Sequence, residues 1–155
     1  MSSINTNICL KFKRTIRFGD SDAAGVIHFH NLFRWCHESW EESLERFGIN
    51  PLEIFPIGKE NYDNLTIALP IIHCEADFKK QIKTGDNLLI EMAPEKLNES
   101  SFEVKTRFRN GDDCVAISII RHIAINNKTR QKCSLPEAIE RWLEASSINI
   151  GPKPI

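Results

Sequence analysis

The sequence lacks any strong excess of charge. Its 155 residues carry 20 lysine and arginine side chains against 21 aspartate and glutamate side chains, a formal net charge of −1. A surface this close to neutral does not favour binding along a phosphate backbone, so we expect no nucleic-acid partner. Any anionic ligand must instead be bound by a local cluster of basic residues.

Paired cysteines and long apolar runs are also missing. The five cysteines are odd in number, widely spaced and never in a C-x-x-C arrangement: Cys9, Cys36, Cys74, Cys114 and Cys133. This pattern predicts neither a disulfide framework nor a zinc site, and favours reduced, mostly buried thiols. No stretch approaches the roughly twenty apolar residues of a membrane span, and residues 1–7 lack the apolar run of a signal peptide. We therefore expect a cytoplasmic protein without membrane insertion.

What is present is typical of one globular domain. Hydrophobic residues make up 41% of the chain and charged residues 26%. A chain of this length buries about two-thirds of its surface on folding, without disulfides or metals. We expect a single domain over residues 1–155.

The apolar spacing predicts one long helix and one short one. Apolar side chains recur at intervals of three and four from Leu32 to Phe47, with Asn31 as the expected N-cap and Gly48 as the C-terminal stop. A short helix is expected from a cap at Ser134 to about residue 145, docked by Ile139, Trp142 and Leu143. Residues 49–66, with two prolines and no clear period, are expected to connect the long helix to the strands that follow.

Alternation of apolar and polar residues predicts five strands. The first covers residues 8–18, and four more follow between residues 72 and 125, with a hairpin turn at Asn110–Gly111. A helix with such a broad apolar face needs a curved antiparallel sheet around it, so the fold class is α+β. An open sheet also leaves an unpaired edge, and pairing with a second copy predicts a homo-oligomer.

The segment before the long helix holds the densest group of possible catalytic side chains. Residues 18–31 read FGDSDAAGVIHFHN, with two carboxylates, two histidines and two glycines. Free amides at a helix start favour a developing negative charge, and glycine lets a carbonyl group approach closely. A carboxylate beside these amides can attack a carbonyl carbon or deprotonate a water molecule that does so.

Other interpretations of these residues remain open. Asp20 and Asp22 could bond to local amides in an ordinary turn. His28, His30 and His37 could bind a metal, although they complete no known ligand spacing. Two further histidines, His73 and His122, fall on strand faces, where hydrogen-bonded wall positions are more common than catalytic ones.

These residues carry a resemblance to a known family. Residues 18–27 (FGDSDAAGVI), with Asn31 and Arg34–Trp35, resemble the signature loop and helix start of the 4-hydroxybenzoyl-CoA thioesterase family of hotdog-fold enzymes. The likeness continues through residues 69–78 (LPIIHCEADF) and the turn at residues 84–86, and covers about the first 125 residues. It implies a hotdog fold, in which a five-stranded antiparallel sheet wraps around one long helix. It also implies a hydrolase that cleaves acyl-CoA thioesters without a metal or redox cofactor.

The resemblance also implies roles for individual residues. Asp22 matches the catalytic carboxylate, as nucleophile or general base, while Asp20 shapes the loop. Phe29 matches the position whose backbone N–H polarises the thioester oxygen, and its aromatic side chain points to an aromatic acyl group. The most similar subgroup hydrolyses 1,4-dihydroxy-2-naphthoyl-CoA in phylloquinone and menaquinone synthesis. Likeness to that subgroup rests on the loop, on residues 36–38 (CHE), on residues 68–73 (ALPIIH) and on residues 134–136 (SLP).

Substrate-binding residues follow from the same resemblance. Those expected to line the acyl pocket are Gly25, Val26, Phe33, Ile72 and His73. Those expected to bind the CoA phosphates are Lys79, Lys80, Arg107 and Arg109, with Lys83 and Lys105 as further candidates. Each of these charges is explained equally well by an ordinary solvated strand face. The family's sites usually lie between protomers, which implies a homodimer or homotetramer.

Three alternatives to this function stay open. The substrate could be another aromatic or a short-chain acyl-CoA. The protein could be an acyl-CoA-binding module without catalysis, since a fold does not by itself confer chemistry. The third alternative is a metal-dependent hydrolase that uses the three histidines near the long helix.

Overall fold

The computed structural model describes the backbone of residues 10–150 and the side chains of residues 10–147. Cys9 and the predicted start of the first strand lie outside this range. The helices are α1 (Phe29–Phe47), α2 (Lys59–Asn64) and α3 (Glu137–Ile150). The strands are β1 (Lys11–Thr15), β2 (Ile67–Ala68), β3 (Ile71–Phe78), β4 (Asn87–Asn98), β5 (Ser101–Asn110), β6 (Asp113–Ile123) and β7 (Ile125–Asn126).

Five strands form one antiparallel sheet in the order β1-β4-β5-β6-β3, and α1 packs against its inner face. The helix buries one broad apolar stripe, which includes Leu32, Trp35, Cys36, Trp40 and Leu44. Inward-facing side chains of β4 and β5, such as Ile90 and Phe108, complete this core. The predicted α+β hotdog arrangement is confirmed.

The C-terminal end of α1 agrees with the prediction, whereas its N-terminal end does not. Gly48 ends the helix with a φ of 100°, and its N–H donates to the carbonyl of Glu45 at 3.0 Å, as expected of a C-terminal glycine. The expected N-cap at Asn31 is wrong, because the helix begins at Phe29 and His28 holds the cap position. Asn31 is instead buried in the first turn, where a tertiary hydrogen bond uses its amide.

The predicted bounds of the first strand need correction. β1 ends at Thr15, and a 3-10 turn (Phe18–Asp20) follows. Phe18 had the correct parity for burial, yet its side chain is 86% exposed because the turn carries it away from the sheet. The alternation of apolar and polar residues does not by itself indicate where a strand stops pairing with its neighbour.

The apolar residues of β6 are divided between its two faces. Ala116, Ser118, Ile120 and His122 face α1 and are buried. The alternating isoleucines at 117, 119 and 123 are half-buried on the outer face. Ile125 belongs to β7, which pairs with β2 in a separate two-stranded sheet that was not predicted. The helix therefore packs against a stripe that is polar or small apart from Ile120, and three of the four isoleucines of this strand lie on the outer face.

The edge strand β3 is exposed along nearly its whole length. Its register with β6 places Cys74, Ala76 and Phe78 on the inner face, as the alternation predicted. The strand ends at Phe78, so Ile82, which was predicted to continue it, is buried in the segment beyond. Among the four described cysteines, which all have free thiols, only Cys36 is buried, so the expectation of mostly buried thiols is wrong.

Helix α3 packs against the core and contacts α1. It begins at Glu137 and ends at Ile150, rather than running from a cap at Ser134 to about residue 145. The predicted docking residues Ile139, Trp142 and Leu143 are buried. The indole N–H of Trp142 donates to Ser43 Oγ at 3.0 Å, which joins α3 to α1. No helix within residues 10–150 has the length and apolarity that crossing a lipid bilayer requires.

Candidate active site

The loop between β1 and α1 is fixed at one end of the sheet. Isolated bridges pair Ser21 with Ile27 and Val26 with Lys83. The N–H of Ile27 donates to the carbonyl of Ile82 at 3.0 Å, and the hydroxyls of Ser21 and Thr84 lie 2.6 Å apart. Since residues 82–84 come soon after β3, these contacts place the loop beside the Phe78 end of that strand.

Asp22 begins a tight turn within this loop. Its N–H donates to the carbonyl of Val26 at 2.9 Å, and its carbonyl accepts from the N–H of Gly25 at 3.1 Å. Gly25 has a φ of 78°, a conformation that a side chain would strain. The N–H of Ala24 donates to Asp22 Oδ1 at 2.7 Å, while the side chain as a whole is exposed. The carboxylate is therefore oriented by the turn and open to solvent.

Asp20 has a different environment, because its side chain is only 8% exposed. Its Oδ2 accepts the N–H of Arg17 at 2.9 Å, and its Oδ1 lies 3.4 Å from the guanidinium of Arg34 and 3.8 Å from that of Arg14. Its carbonyl accepts from the N–H of His28 and, at 2.8 Å, from the amide of Asn31. Asp20 thus fastens the loop to the first turn of α1.

The start of α1 presents Phe29 beside the loop. As the first residue of the helix, Phe29 has a backbone N–H without an intrahelical acceptor, and its ring is 62% exposed. No acidic side chain occupies this first turn to neutralise the positive end of the helix dipole. The arrangement offers backbone donors to an oxygen atom that gains negative charge, on the same loop–helix unit as Asp22.

The three histidines near α1 do not converge on one point. The Nδ1 atoms of His28 and His30 are in direct contact, and both rings are exposed. His37 lies two turns further along the helix and packs against Trp40 and Phe55 at ring-centroid distances of 5.4 and 6.2 Å. Within the described part of the chain, no group of three or more histidine, cysteine, aspartate or glutamate side chains could hold a metal ion.

One protomer does not bring all the expected acyl-pocket residues together. Gly25 and Val26 lie in the loop, and Phe33 is half-buried on α1 against the core. Ile72 and His73 lie near the opposite end of β3 from Phe78, about 15–20 Å away at the rise of a strand. His73 also faces the outer side of the sheet, where its Nε2 lies 3.1 Å from Glu75 Oε2.

The basic residues expected to bind CoA are at the same end of the sheet as the loop. Lys79 and Lys80 directly follow β3, and Lys80 Nζ lies 3.0 Å from Asp113 Oδ1. On the outer face of β5, Arg109 is paired with Glu91 at 3.3 Å, whereas Arg107 is exposed. Lys79 and Arg107 are exposed and, among the described residues, form no ion pair, whereas Lys80 is exposed but paired with Asp113.

The sequence did not indicate a polar cluster that lies in the core beneath α1. The sulfur of Cys36 and Ser118 Oγ lie 2.9 Å apart. Burial raises the pKa of the Cys36 thiol to about 11, an effect that the Ser118 hydroxyl partly offsets. Burial lowers the pKa of His122 to about 4, against a smaller opposing effect of its hydrogen bond with the carbonyl of Leu69. The expectation that His122 is a hydrogen-bonded wall residue is confirmed, and its neutrality follows from burial.

Comparison with known proteins agrees with this fold. The family model of the thioesterase-like superfamily matches residues 16–143, from just after β1 into α3. The chain therefore belongs to the thioesterase-like superfamily.

The chain is also similar to individual proteins of known name. The chain is 55% identical, over 94% of its length and 96% of the relative's, to the 1,4-dihydroxy-2-naphthoyl-CoA hydrolase of Prochlorococcus marinus (strain MIT 9313). It is 52% identical to the protein of the same name from Synechococcus sp. (strain CC9311), over 90% and 91% of the two chains.

Two solved structures match the fold. One, described as a candidate thioesterase from Prochlorococcus marinus str. MIT 9313, has a TM-score of 0.88 and 56% identity and covers 92% of this chain and 99% of its own. The other, a 1,4-dihydroxy-2-naphthoyl-CoA thioesterase from Synechocystis, has a TM-score of 0.75 over 86% and 94% of the chains. At 23% identity, the second likeness concerns the fold alone.

Proposed function

We propose that this protein is a homo-oligomeric thioesterase that hydrolyses 1,4-dihydroxy-2-naphthoyl-CoA to 1,4-dihydroxy-2-naphthoate and CoA. The product belongs to phylloquinone and menaquinone synthesis. The observation that carries the proposal is the exposed, turn-oriented carboxylate of Asp22 on the loop that leads into the first turn of α1, where Phe29 has a backbone N–H without an intrahelical acceptor. It occurs in a chain that is 55% identical to a relative named for this reaction.

The chemistry assigned to the loop needs one carboxylate and backbone donors. Asp22 attacks the thioester carbonyl carbon, or removes a proton from the water that does. The N–H of Phe29 donates to the carbonyl oxygen as its negative charge develops, and such a donor lowers a barrier by about 3 kcal/mol. The C–S bond then breaks, CoA leaves as a thiolate that takes up a proton, and water supplies the oxygen of the acid. No step requires a metal or a redox cofactor.

The expected pocket residues have separate roles in this proposal. Gly25 and Val26 line the approach of the thioester, and Phe33 on α1 offers apolar surface to the bicyclic ring. Ile72 forms the remaining wall, and His73, whose side chain faces the outer side of the sheet, borders it at the rim. The exposed ring of Phe29 stacks on or borders the same aromatic group.

Binding of the CoA phosphates is assigned to the basic residues around the loop end of the sheet. Lys79 and Arg107 are exposed and supply charge directly. Lys80 and Arg109 exchange their present carboxylate partners, Asp113 and Glu91, for phosphate oxygens. A guanidinium can bind a phosphate with two parallel hydrogen bonds, whereas an ammonium acts as a point charge.

The exposed edge of β3 supports a dimer in which two copies pair their β3 strands. Ile71, Ile72 and Phe78 have 46%, 53% and 47% exposure along an unpaired edge. Antiparallel pairing about the middle of β3 would bring Ile72 of the partner subunit beside the Phe78 end of this strand, next to the Asp22 loop. Ile72 and His73 would then reach the site from the neighbouring protomer, which explains their distance from Asp22 within one chain. A tetramer of two such dimers is compatible with this arrangement.

A shared site predicts that two inactive variants restore activity to each other. Asp22→Asn removes the carboxylate, and Ile72→Trp is expected to fill the acyl pocket without changing the strand. When the two chains are co-expressed, about half of the dimers are mixed and each mixed dimer has one intact site, so about a quarter of wild-type activity is expected.

Thiol release from the separate and co-expressed variants measures this effect, and light scattering confirms that each variant is a dimer. Activity no higher than that of the separate variants, in dimers of normal mass, would show that both residues belong to one protomer.

A panel of CoA esters tests the substrate. We expect kcat/KM for the dihydroxynaphthoyl ester to exceed the values for benzoyl and short-chain acyl esters by at least about tenfold, measured as thiol release. A preference for a short-chain ester would assign the same chemistry to a different substrate. Binding of the naphthoyl ester without thiol release would favour the acyl-CoA-binding module.

A cytoplasmic location is part of the proposal. The four described cysteines have free thiols, as expected of a protein kept in a reducing compartment.

A further inference from the structure

Four charged side chains form a closed ring between β1, the loop of residues 18–28 and α1. Arg14 Nη2 lies 3.8 Å from Asp20 Oδ1, and Arg14 Nη1 lies 3.3 Å from Glu38 Oε2. Arg34 Nη2 lies 3.4 Å from the same oxygen of Asp20, and Arg34 Nε lies 3.5 Å from Glu38 Oε1. Each guanidinium therefore contacts both carboxylates, and opposite charges alternate around this charge ring.

Arg14 occupies a position of β1 where an apolar side chain would be expected. Phe12 and Ile16, two residues away on either side, are both buried. The guanidinium carbon of Arg14 lies 5.4 Å from the centroid of the Trp35 ring, over its face. A cation in this position is attracted by the π electrons of the indole. A charge so close to the core is stable only with such partners, so the charge ring and the indole together hold this guanidinium in place.

Asp20 connects the charge ring to the candidate site. Its carboxylate is almost buried, and a buried charge is destabilising unless an opposite charge accompanies it. The carbonyl oxygen of the same residue accepts the N–H of His28 at 3.0 Å, and Phe29 follows directly. Asp22 is two residues further along the loop. The position of Asp20 therefore affects the distance between the Asp22 carboxylate and the N–H of Phe29.

We propose that Arg34 is a positioning residue for thioester hydrolysis, which holds the Asp22 turn at its working distance from the N–H of Phe29. The inference rests on the proposed function. Arg34 acts through Asp20, while Glu38 fixes the other side of its guanidinium. A rigid guanidinium can reach two carboxylates through different nitrogen atoms, whereas the ammonium of lysine is a single point charge. Displacement of a reacting group by about 1 Å can lower a rate by about a hundredfold.

Arg34→Met tests the proposal through the kinetic constants. We expect kcat for the naphthoyl ester to fall by at least about tenfold and KM to change by less than about twofold, because the residues assigned to substrate binding are unchanged. Arg34→Lys keeps the charge but loses one of the two contacts, so an intermediate kcat is expected. Arg141→Met removes an exposed i,i+4 pair with Glu137 on α3 and is the matched control, with kcat unchanged. A wild-type kcat in Arg34→Met would overturn the proposal.

A double-mutant cycle separates positioning from general damage. If Arg34 acts by placing the Asp22 carboxylate, Arg34→Met has little left to disturb once Asp22→Asn has removed that group. The residual rate of Asp22→Asn is therefore expected to change by less than about twofold when Arg34→Met is added. An equal loss in both backgrounds would show that Arg34 acts independently of Asp22, against the proposal.

Hydrogen–deuterium exchange tests the charge ring without a substrate. The N–H groups of Asp22 and His28 donate to carbonyl oxygens within the loop, so their exchange reports how firmly the loop is held. Arg34→Met should accelerate exchange in residues 21–28 and leave α3 unchanged, while equal exchange in the loop would contradict the proposal. A wild-type protein that releases no thiol from any CoA ester would instead overturn the proposed function, and the exchange result would still show whether Arg34 holds the loop.

Discussion

Asp22→Asn is expected to reduce kcat/KM for thioester hydrolysis by at least about a thousandfold. An amide is neither a nucleophile toward a thioester nor a base toward water, so the variant loses the only charged group that the loop offers to the reaction. The free amides of α1 remain, which is why a small residual rate is expected. Thiol release from the naphthoyl ester measures the loss.

The same variant is expected to fold normally. Asp22 is exposed, and its Oδ1 accepts a hydrogen bond from the N–H of Ala24. The side-chain carbonyl oxygen of asparagine can accept the same hydrogen bond. The urea midpoint should therefore match that of the wild type. Asp63→Asn, at an exposed aspartate of α2, is the matched control and should retain full activity. Wild-type turnover by Asp22→Asn would remove this residue from the mechanism.

Acidification is expected to destabilise the protein through His122. Burial lowers the pKa of this imidazole from about 6.5 to about 4 in the folded state. Between these values the unfolded chain binds a proton that the folded chain does not, so the free energy of unfolding falls as the pH is lowered. At about 1.4 kcal/mol per pH unit, the loss from pH 6.5 to pH 4 is about 3 kcal/mol. Above pH 6.5 this residue contributes no further change.

His122→Gln isolates this contribution. Glutamine removes the titrating group. Between pH 6.5 and pH 4, the free energy of unfolding of the variant should therefore fall by about 3 kcal/mol less than that of the wild type. Urea unfolding at a series of pH values measures both slopes, and His73→Gln, at an exposed histidine on the outer face, controls for the substitution. Equal slopes in the wild type and His122→Gln would mean that the folded protein accepts the proton on His122 without penalty.

The fold could be predicted well from local patterns, with errors at the ends of its elements. The stripe from Leu32 to Leu44 predicted α1, and the alternation from Phe102 to Phe108 predicted β5, because both periods reflect one buried face. Phe18 and Asn31 were misassigned for a common reason. A tertiary contact, rather than local spacing, decides whether a residue with the right chemistry continues a strand or caps a helix.

The candidate site was predictable in part. The composition of residues 18–31 identified the loop, and the resemblance to a family singled out Asp22 and Phe29, whose roles stay predictions. The anchoring contacts of Asp20 with Arg34 and of Val26 with Lys83 join segments that are far apart in the sequence, so no local pattern could indicate them. The separation of Ile72 from Asp22 along β3 was equally invisible, because an alternation pattern gives the face of a residue but not its distance from a loop.

The apolar spacing of the chain and the composition of its loop determined the α+β fold class and the place of one candidate site. These properties depend on residues close together in the chain, and burial of one face per element is enough to fix them. Only the tertiary structure decided that Asp20 is buried and Asp22 exposed, that β6 presents Ser118 and His122 to the helix, and that β3 is left as an open edge. Those outcomes depend on which elements meet across the core, where the free energy of burial is shared among residues that the sequence holds far apart.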